Sequence, residues 1–413
     1  DKGIISVFID DGTTKVSKDY QVTFKGYKSL KEGIASGYVY SGYPNLDEEF
    51  FDTMDIVYCA FVMVDVDGNF TGLDTSNTSV LNSNKATLAK INAYVKPNAK
   101  KEGTYVVASL GGGGDVMADT FDVIAASDTL RKKLAKNVVD MINEYNLDGV
   151  DVDWEFPGIL SSQAGYEKYT TAVDIKNLNS LLRELRAGFN QLQDANGSNY
   201  LLSVATPPTD WGVDRYDYVT INEVCDYVNM MSYDLNKTSN ASHLTHVYQP
   251  SNSYSYKFCC DFGVGYYTSL GLEKSKIILG CAAYGKAYKV TGSSPNSKLP
   301  GLGATATLGQ VQGYGLAGQA ITWNSGTIYY TGIQTLIESG NFTQYNEYNN
   351  NGKLVGSYLY SSTDNYFITY DSVLSVTEKC KYAQANNGMG IMVWAYGEDA
   401  TDTIVNTICD NLK

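Results

Sequence analysis

The sequence predicts an α/β fold, a (β/α)8 TIM barrel with an α+β insertion subdomain between the seventh strand and the seventh helix. Three observations predict it. Eight runs rich in β-branched residues alternate with helical patterns, which indicates a parallel sheet, and eight such units point to closure. About a hundred residues separate the seventh run from the eighth, far more than a strand-to-helix loop needs, so that stretch must hold structure of its own. One run also sets acidic side chains in strict alternation with apolar ones, which places a carboxyl row inside the sheet.

The strand runs fall at 34–40, 56–64, 105–110, 150–155, 201–206, 227–232, 277–284 and 389–394. Helical periodicity occupies 129–145, 174–192, 373–385 and, after the last strand, 399–412. The barrel is therefore assigned to residues 34–286 and 371–413, and the insertion to 287–370, where runs at 328–331 and 355–360 read as short strands. Residues 1–33 lie outside the count. Within them, 4–9 and 21–25 flank Asp11-Gly12 and are expected to pair as a hairpin, either packed under the barrel or belonging to a neighbouring module.

The segment 147–158, LDGVDVDWEFPG, puts four acids into eight positions of an otherwise buried strand. Alternation sends Asp151, Asp153 and Glu155 to one face and Val150, Val152 and Trp154 to the other. Carboxyls crowded in this way cannot all ionise cheaply, so the row is suited to holding a proton near neutral pH. A calcium loop is the competing reading, but such loops carry a glycine among their ligands, whereas the glycines here lie outside 151–155. Barrel active sites lie at the carboxyl ends of the strands. Glu155, nearest that end, is thus the expected general acid and Asp153 its proton-sharing neighbour. Asp151 lies deeper as the partner charge, while Asp148, of the other parity, is expected to bond backbone at the strand's start. Trp154 should pack toward the helices.

Composition narrows the class. Of 413 residues 43% are hydrophobic and 18% charged, which fits a globular enzyme rather than a disordered or fibrous chain, and no apolar run is long enough to cross a membrane. The net charge of -14 opposes nucleic-acid binding, which needs clustered Lys and Arg, and favours a neutral or cationic polymer as partner. The seven cysteines have no metal-ligand spacing and an odd number, and Cys59 and Cys281 lie in apolar runs as expected buried thiols. Only His243 and His246 are present, so histidine metal sites and Ser/His/Asp arrangements find no support, and the pair is expected to face solvent on a polar loop. Gly111 to Gly114 lack the Gly-Lys-Ser/Thr that a phosphate cradle requires and read as a tight turn beside the cleft. The start Asp1-Lys2-Gly3 carries no leader and is read as a mature or trimmed form.

The acid segment resembles the DGxDxDxE signature of glycoside hydrolase family 18, the chitinases and their relatives, and its Trp-Glu-Phe-Pro-Gly continuation is similar to the chitinase branch. Ser109-Leu110-Gly111-Gly112 resembles the family's SxGG, and Met231-Ser232-Tyr233-Asp234 its MxYD, in the right order along residues 34–412. The resemblance implies substrate-assisted, retaining hydrolysis of β-1,4-linked N-acetylglucosamine through an oxazolinium intermediate, without metal or cofactor. Glu155 would then act as acid and base, Asp153 would orient the acetamido N–H, and Tyr233 would bond the acetamido oxygen. Asp234 and Met231 would contact sugar. Trp394 would floor the subsite at the cleavage point, and Tyr38 and Tyr284 match aromatic positions of the family. Trp211, after Pro207-Pro208, either lines the cleft or covers it. The insertion resembles the one that walls the cleft in processive and exo-type members.

This sequence departs from relatives in Gly113-Gly114, where an aromatic commonly follows SxGG, and in Lys286, where they carry arginine. Lysine lacks the planar fork, so a looser contact is expected there. The implied partner is chitin or an N-acetylglucosamine oligosaccharide, and a secreted or cell-surface monomer is expected. Two alternatives share the scaffold: an endo-β-N-acetylglucosaminidase acting on N-glycan cores, and a non-catalytic chitin-binding lectin. Such lectins typically lose the terminal glutamate that is present here as Glu155.

Overall fold

The computed structural model describes residues 2–10, 15–23, 33–40, 53–69, 104–159, 165–316, 326–387 and 390–412. Strands β1 (Lys2–Asp10) and β2 (Lys15–Thr23) form an antiparallel hairpin. Its second strand starts six residues earlier than the pattern suggested, and the Asp11-Gly12 turn lies outside the described residues. Then come β3 (Ala35–Tyr40), β4 (Ile56–Val62), β5 (Tyr105–Gly111), α1 (Asp115–Ala126), α2 (Asp128–Tyr145), β6 (Gly149–Asp153) and α3 (Thr171–Asn196). They are followed by β7 (Leu201–Thr206), α4 (Asp210–Val213), α5 (Tyr218–Val224), β8 (Tyr227–Met230), α6 (Cys260–Ser269) and β9 (Ile277–Ala282). After β9 the chain forms β10 (Tyr284–Val290), β11 (Ala306–Leu308), β12 (Thr327–Tyr329), α7 (Tyr330–Glu338), β13 (Thr343–Tyr348), β14 (Leu354–Ser361) and β15 (Tyr366–Tyr370). It returns through α8 (Val373–Ala385), β16 (Gly390–Tyr396) and α9 (Thr403–Leu412).

The eight strands β16-β3-β4-β5-β6-β7-β8-β9 close into a parallel barrel. Both of its faces are covered, so β6, β7 and β9 are buried along their whole length; β7 and β9 read as mostly apolar runs, whereas β6 carries Asp151 and Asp153. Outside them, helices bury one stripe each: Leu134, Val138, Met141 and Ile142 of α2, and Leu178, Leu181, Leu182, Leu185 and Phe189 of α3. Ser127 starts α2 by accepting from the Leu130 amide, and Gly197, at φ 86°, ends α3 in the left-handed conformation. Trp154 points outward and stacks on Phe121, with ring centroids 5.5 Å apart.

The insertion is a six-stranded antiparallel sheet in the order β11-β10-β15-β14-β13, with β12 also paired to β10. It has a core of its own, built on Tyr288, Leu302, Tyr358 and Phe367. This sheet begins at Tyr284, where Gly285 and Lys286 pair with Tyr370 and Thr369, so its edge lies three residues before the boundary read from sequence. The seventh barrel strand correspondingly stops at Ala282 rather than at 284.

The segment after β8 bonds to the insertion, through the Leu244 amide to Thr369 and the Val247 amide to the Val355 carbonyl, and there the histidine expectation fails. His243 and His246 are buried, not solvent-facing. The Nε2 of His243 lies 2.8 Å from a Glu347 oxygen of β13, and that of His246 lies 3.0 Å from the Tyr256 carbonyl. Burial and the neighbouring His243 hold His246 down at about 3, so its ring is neutral. Beside them, Lys379 of α8 donates to Asp371, Thr245 and the Gly280 carbonyl, a buried ion pair whose remaining hydrogens are satisfied.

Candidate active site

β6 supplies the acids by its pleat. Asp151 and Asp153 point inward from a buried strand, and the register sets Asp151 beside Ser109 of β5 and Ser203 of β7. Both serine hydroxyls donate to Asp151, at 2.9 and 2.7 Å. Tyr38 Oη of β3 and Asn229 Nδ2 of β8 complete its shell at 2.9 and 3.2 Å. Burial raises the Asp151 carboxyl while these four bonds pull it down. The Asp148 Oδ2, on the opposite parity, accepts from the Val106 amide at 2.8 Å.

Asp153 stands one step higher and is provided for differently. Its Oδ1 is buried and finds no hydrogen-bond partner among the described residues. Burial, then the charges of Glu155 and Asp151, push its carboxyl well above the usual carboxylate range. A buried carboxyl with one unpaired oxygen, aimed into a cleft, is available to an incoming donor.

Glu155 lies two residues beyond the strand rather than at its last position. The ladder stops at Asp153, whose carbonyl accepts from the Gly112 amide at 2.9 Å, because beyond that point side chains rather than a neighbouring strand take the backbone groups. Burial, with the charge of Asp234 adding to it, brings Glu155 up to about 7. Glycines of the turn after β5 allow this crowding. A Cβ on Gly111, whose φ is 111°, would stand 2.2 Å from the Asp153 carbonyl oxygen, and one on Gly113 would stand 3.1 Å from Glu155 Oε1.

These acids open into a cleft of about 600 Å³ at the carboxyl ends of the strands. Of the side chains expected at the site, Glu155, Asp153, Tyr233, Asp234, Met231, Trp394, Tyr38, Tyr284 and Trp211 line it, while Asp151 lies beneath. Tyr233 follows β8, and its ring meets Tyr284 edge-on at 6.2 Å. Trp394 sits between Phe61 and Tyr38, at centroid distances of 5.5 and 5.3 Å. Trp211 occupies the lip, 48% exposed, with Phe156 against its edge. Lys286 lies 3.6 Å from Asp234 and donates to Thr327 Oγ1 at 2.7 Å, a single-point contact of the kind its chemistry allows.

Gly113 lines the cleft as the turn expected beside it, and Phe61, Phe156, Tyr329 and Glu398 line it without having been expected there from sequence. Phe61 lies near the carboxyl end of β4 and Phe156 directly follows the acid, so position alone could have marked those two. Tyr329 and Glu398 come from the insertion and from the loop after β16, where no local pattern points inward. No group of three or more His, Cys, Asp or Glu side chains among the described residues is arranged to hold a metal ion.

A parallel eight-stranded barrel with a proton-holding acid row under an aromatic-walled cleft has the build of the barrel glycosidases. The chain belongs to the glycosyl hydrolases family 18, which it matches over residues 36–399. It is 27% identical over 305 residues to chitinase A1 of Niallia circulans, covering 72% of this chain and 41% of that protein. It is 27% identical over 337 residues to chitotriosidase-1 of Mus musculus, covering 80% and 66%. The chain thus spans less than two thirds of the length of these relatives. Among solved structures, the class V chitinase of Nicotiana tobaccum, in complex with NAG4, superposes with a TM-score of 0.72 at 20% identity, covering 92% of this chain and 99% of that one.

Proposed function

We propose that this protein hydrolyses β-1,4 linkages between N-acetylglucosamine units of chitin or its oligosaccharides, with retention and with the substrate as nucleophile. The observation that carries the reading is Glu155, brought up to about 7 beside Asp153, whose carboxyl is raised as well, in a cleft walled by Trp394 and Tyr233. The chitinase names of the relatives and the oligosaccharide bound to the tobacco enzyme support the substrate class.

In this reading the glycosidic oxygen takes the Glu155 proton as its bond to the anomeric carbon breaks. The 2-acetamido carbonyl oxygen closes on that carbon and gives an oxazolinium ring. Asp153 accepts from the acetamido N–H and offsets the charge that develops there, while Tyr233 Oη donates to the acetamido oxygen and aims it. Water then adds to the anomeric carbon as that carbon's bond to the acetamido oxygen breaks and the free acetamido group is restored, and the water's proton passes to Glu155, restoring the acid. The flat apolar faces of the sugars rest on Trp394 and Trp211.

Digestion of chitohexaose beside a high-mannose glycoprotein tests the substrate. Release of short chitooligosaccharides with the glycoprotein untouched is expected. Glycan release alone would point to the N-glycan core instead, and binding without any product to a lectin.

A further inference from the structure

Beyond β6, among the described residues, no neighbouring strand holds the segment 154–158 that carries Glu155, and three side chains take its backbone groups instead. Tyr216 Oη donates to the Trp154 carbonyl at 3.2 Å, Arg215 Nη1 to the Pro157 carbonyl at 2.7 Å, and the Gly158 amide donates to Asp174 Oδ2 at 3.0 Å. Two of the three, Arg215 and Tyr216, come from the turn that ends α4. That helix also carries Trp211, and the turn is closed by the Arg215 amide on the Gly212 carbonyl and the Tyr216 amide on the Val213 carbonyl. Arg215 has a second contact, since its guanidinium lies over the Trp211 ring with Cζ 5.9 Å from the centroid. Trp211 in turn meets Phe156, the residue after the acid, at 5.4 Å. The acid's backbone and the lip's indole are thus joined in one closed circuit: Phe156, Pro157, Arg215, Trp211 and back to Phe156.

We propose that Arg215 is a positioning residue that couples occupancy of Trp211 to the placement of Glu155. A sugar resting on the exposed indole immobilises and desolvates it, which strengthens the guanidinium contact on its flank. The guanidinium, held more firmly, fixes the Pro157 carbonyl and with it the carboxyl two residues earlier. Tyr216 and Asp174 hold the same segment without touching the lip, so they set the position but do not report on substrate. Arginine suits the task because its planar guanidinium can stack on an indole while an N–H at its edge donates to a carbonyl, whereas an ammonium has no plane to stack. The inference rests on the chitinase reading, with Glu155 as the acid.

The test is a double-mutant cycle on chitohexaose, comparing the wild-type chain with Trp211→Ala, Arg215→Ala, both together, and Arg215→Lys alone and combined with Trp211→Ala. Arg215→Ala is expected to lower kcat about tenfold with KM changed less than about threefold, since misplacement of a reacting group acts on the chemical step. Adding Trp211→Ala to Arg215→Ala should then lower kcat no further, because the path between them is already cut. Arg215→Lys should recover part of kcat through the Pro157 carbonyl, yet make kcat insensitive to Trp211→Ala. This variant carries the test if Arg215→Ala melts below the assay temperature. Independent, multiplying effects of the two substitutions, or a kcat for Arg215→Ala within about twofold of wild type, would overturn the coupling. A wild-type chain that leaves chitohexaose intact would overturn the substrate reading and the coupling with it.

Discussion

Replacing Glu155 with glutamine is expected to lower turnover of a chromogenic chitobiose substrate by about 10³-fold or more, while oligosaccharide affinity stays within about threefold. The carboxamide keeps the shape and most of the hydrogen bonding of the side chain but has no proton to give. The other carboxyls of the cleft are carried elsewhere: Asp153 lies a pleat step lower, Asp234 lies on the loop after β8, in contact with Lys286, and Glu398 lies on the loop after β16. The same substitution carries a stability signature. Burial raises both carboxyls in the fold, Glu155 to about 7, whereas both ionise near pH 4 in the unfolded chain, so the folded state binds more protons from about 4 up through the range of Glu155. Their contribution to stability is therefore full below the unfolded values and is lost as pH rises through the folded ones. At pH 8 the Glu155→Gln variant should melt higher than wild type. Near-normal turnover in that variant would mean that the acid has been misassigned.

Asp153→Asn is expected to lower kcat by about 10²-fold and to change the form of the pH profile. Two carboxyls this close lose their protons in macroscopic steps that belong to the pair. Catalysis in the proposed scheme needs one proton between them, on Glu155, with Asp153 charged toward the acetamido group. Wild-type kcat/KM should therefore rise as the first proton leaves, then fall as pH climbs through the range of Glu155, about 7. Asparagine cannot ionise. The rising limb should vanish, leaving a single fall with increasing pH. A variant that keeps both limbs would show that Asp153 shares no proton with Glu155.

The period-two rule was enough to separate Asp151 and Asp153 from their neighbours, because a pleated strand fixes side-chain direction locally. It gave no warning that the strand stops at Asp153, since the bonds that release Glu155 from the ladder come from Arg215, Tyr216 and Asp174, some 16 to 62 residues away. The histidines failed for the same reason. Ser242 and Thr245 make their surroundings look polar and exposed, yet the decisive partner of His243 is Glu347, 104 residues on. Cleft residues carried by a motif or a strand end, such as Tyr233 and Trp394, could be picked out from their place in the chain. Tyr329 and Glu398 could not, because their inward placement depends on how the insertion and the final loop sit over the barrel. Tyr284 shows both sides of this: it was named for the cleft as the end of a barrel strand, and it is the first residue of the insertion sheet.

The central claim is that the substrate supplies the nucleophile and the protein only holds the proton and aims the acetamido group. The configuration of the first-formed product, followed by proton NMR on chitohexaose before mutarotation sets in, tests it most directly. The account predicts the β-anomer at the new reducing end, as two displacements at the anomeric carbon require. Initial release of the α-anomer would mean direct attack by water, and the roles given to Asp153 and Tyr233 would then be wrong.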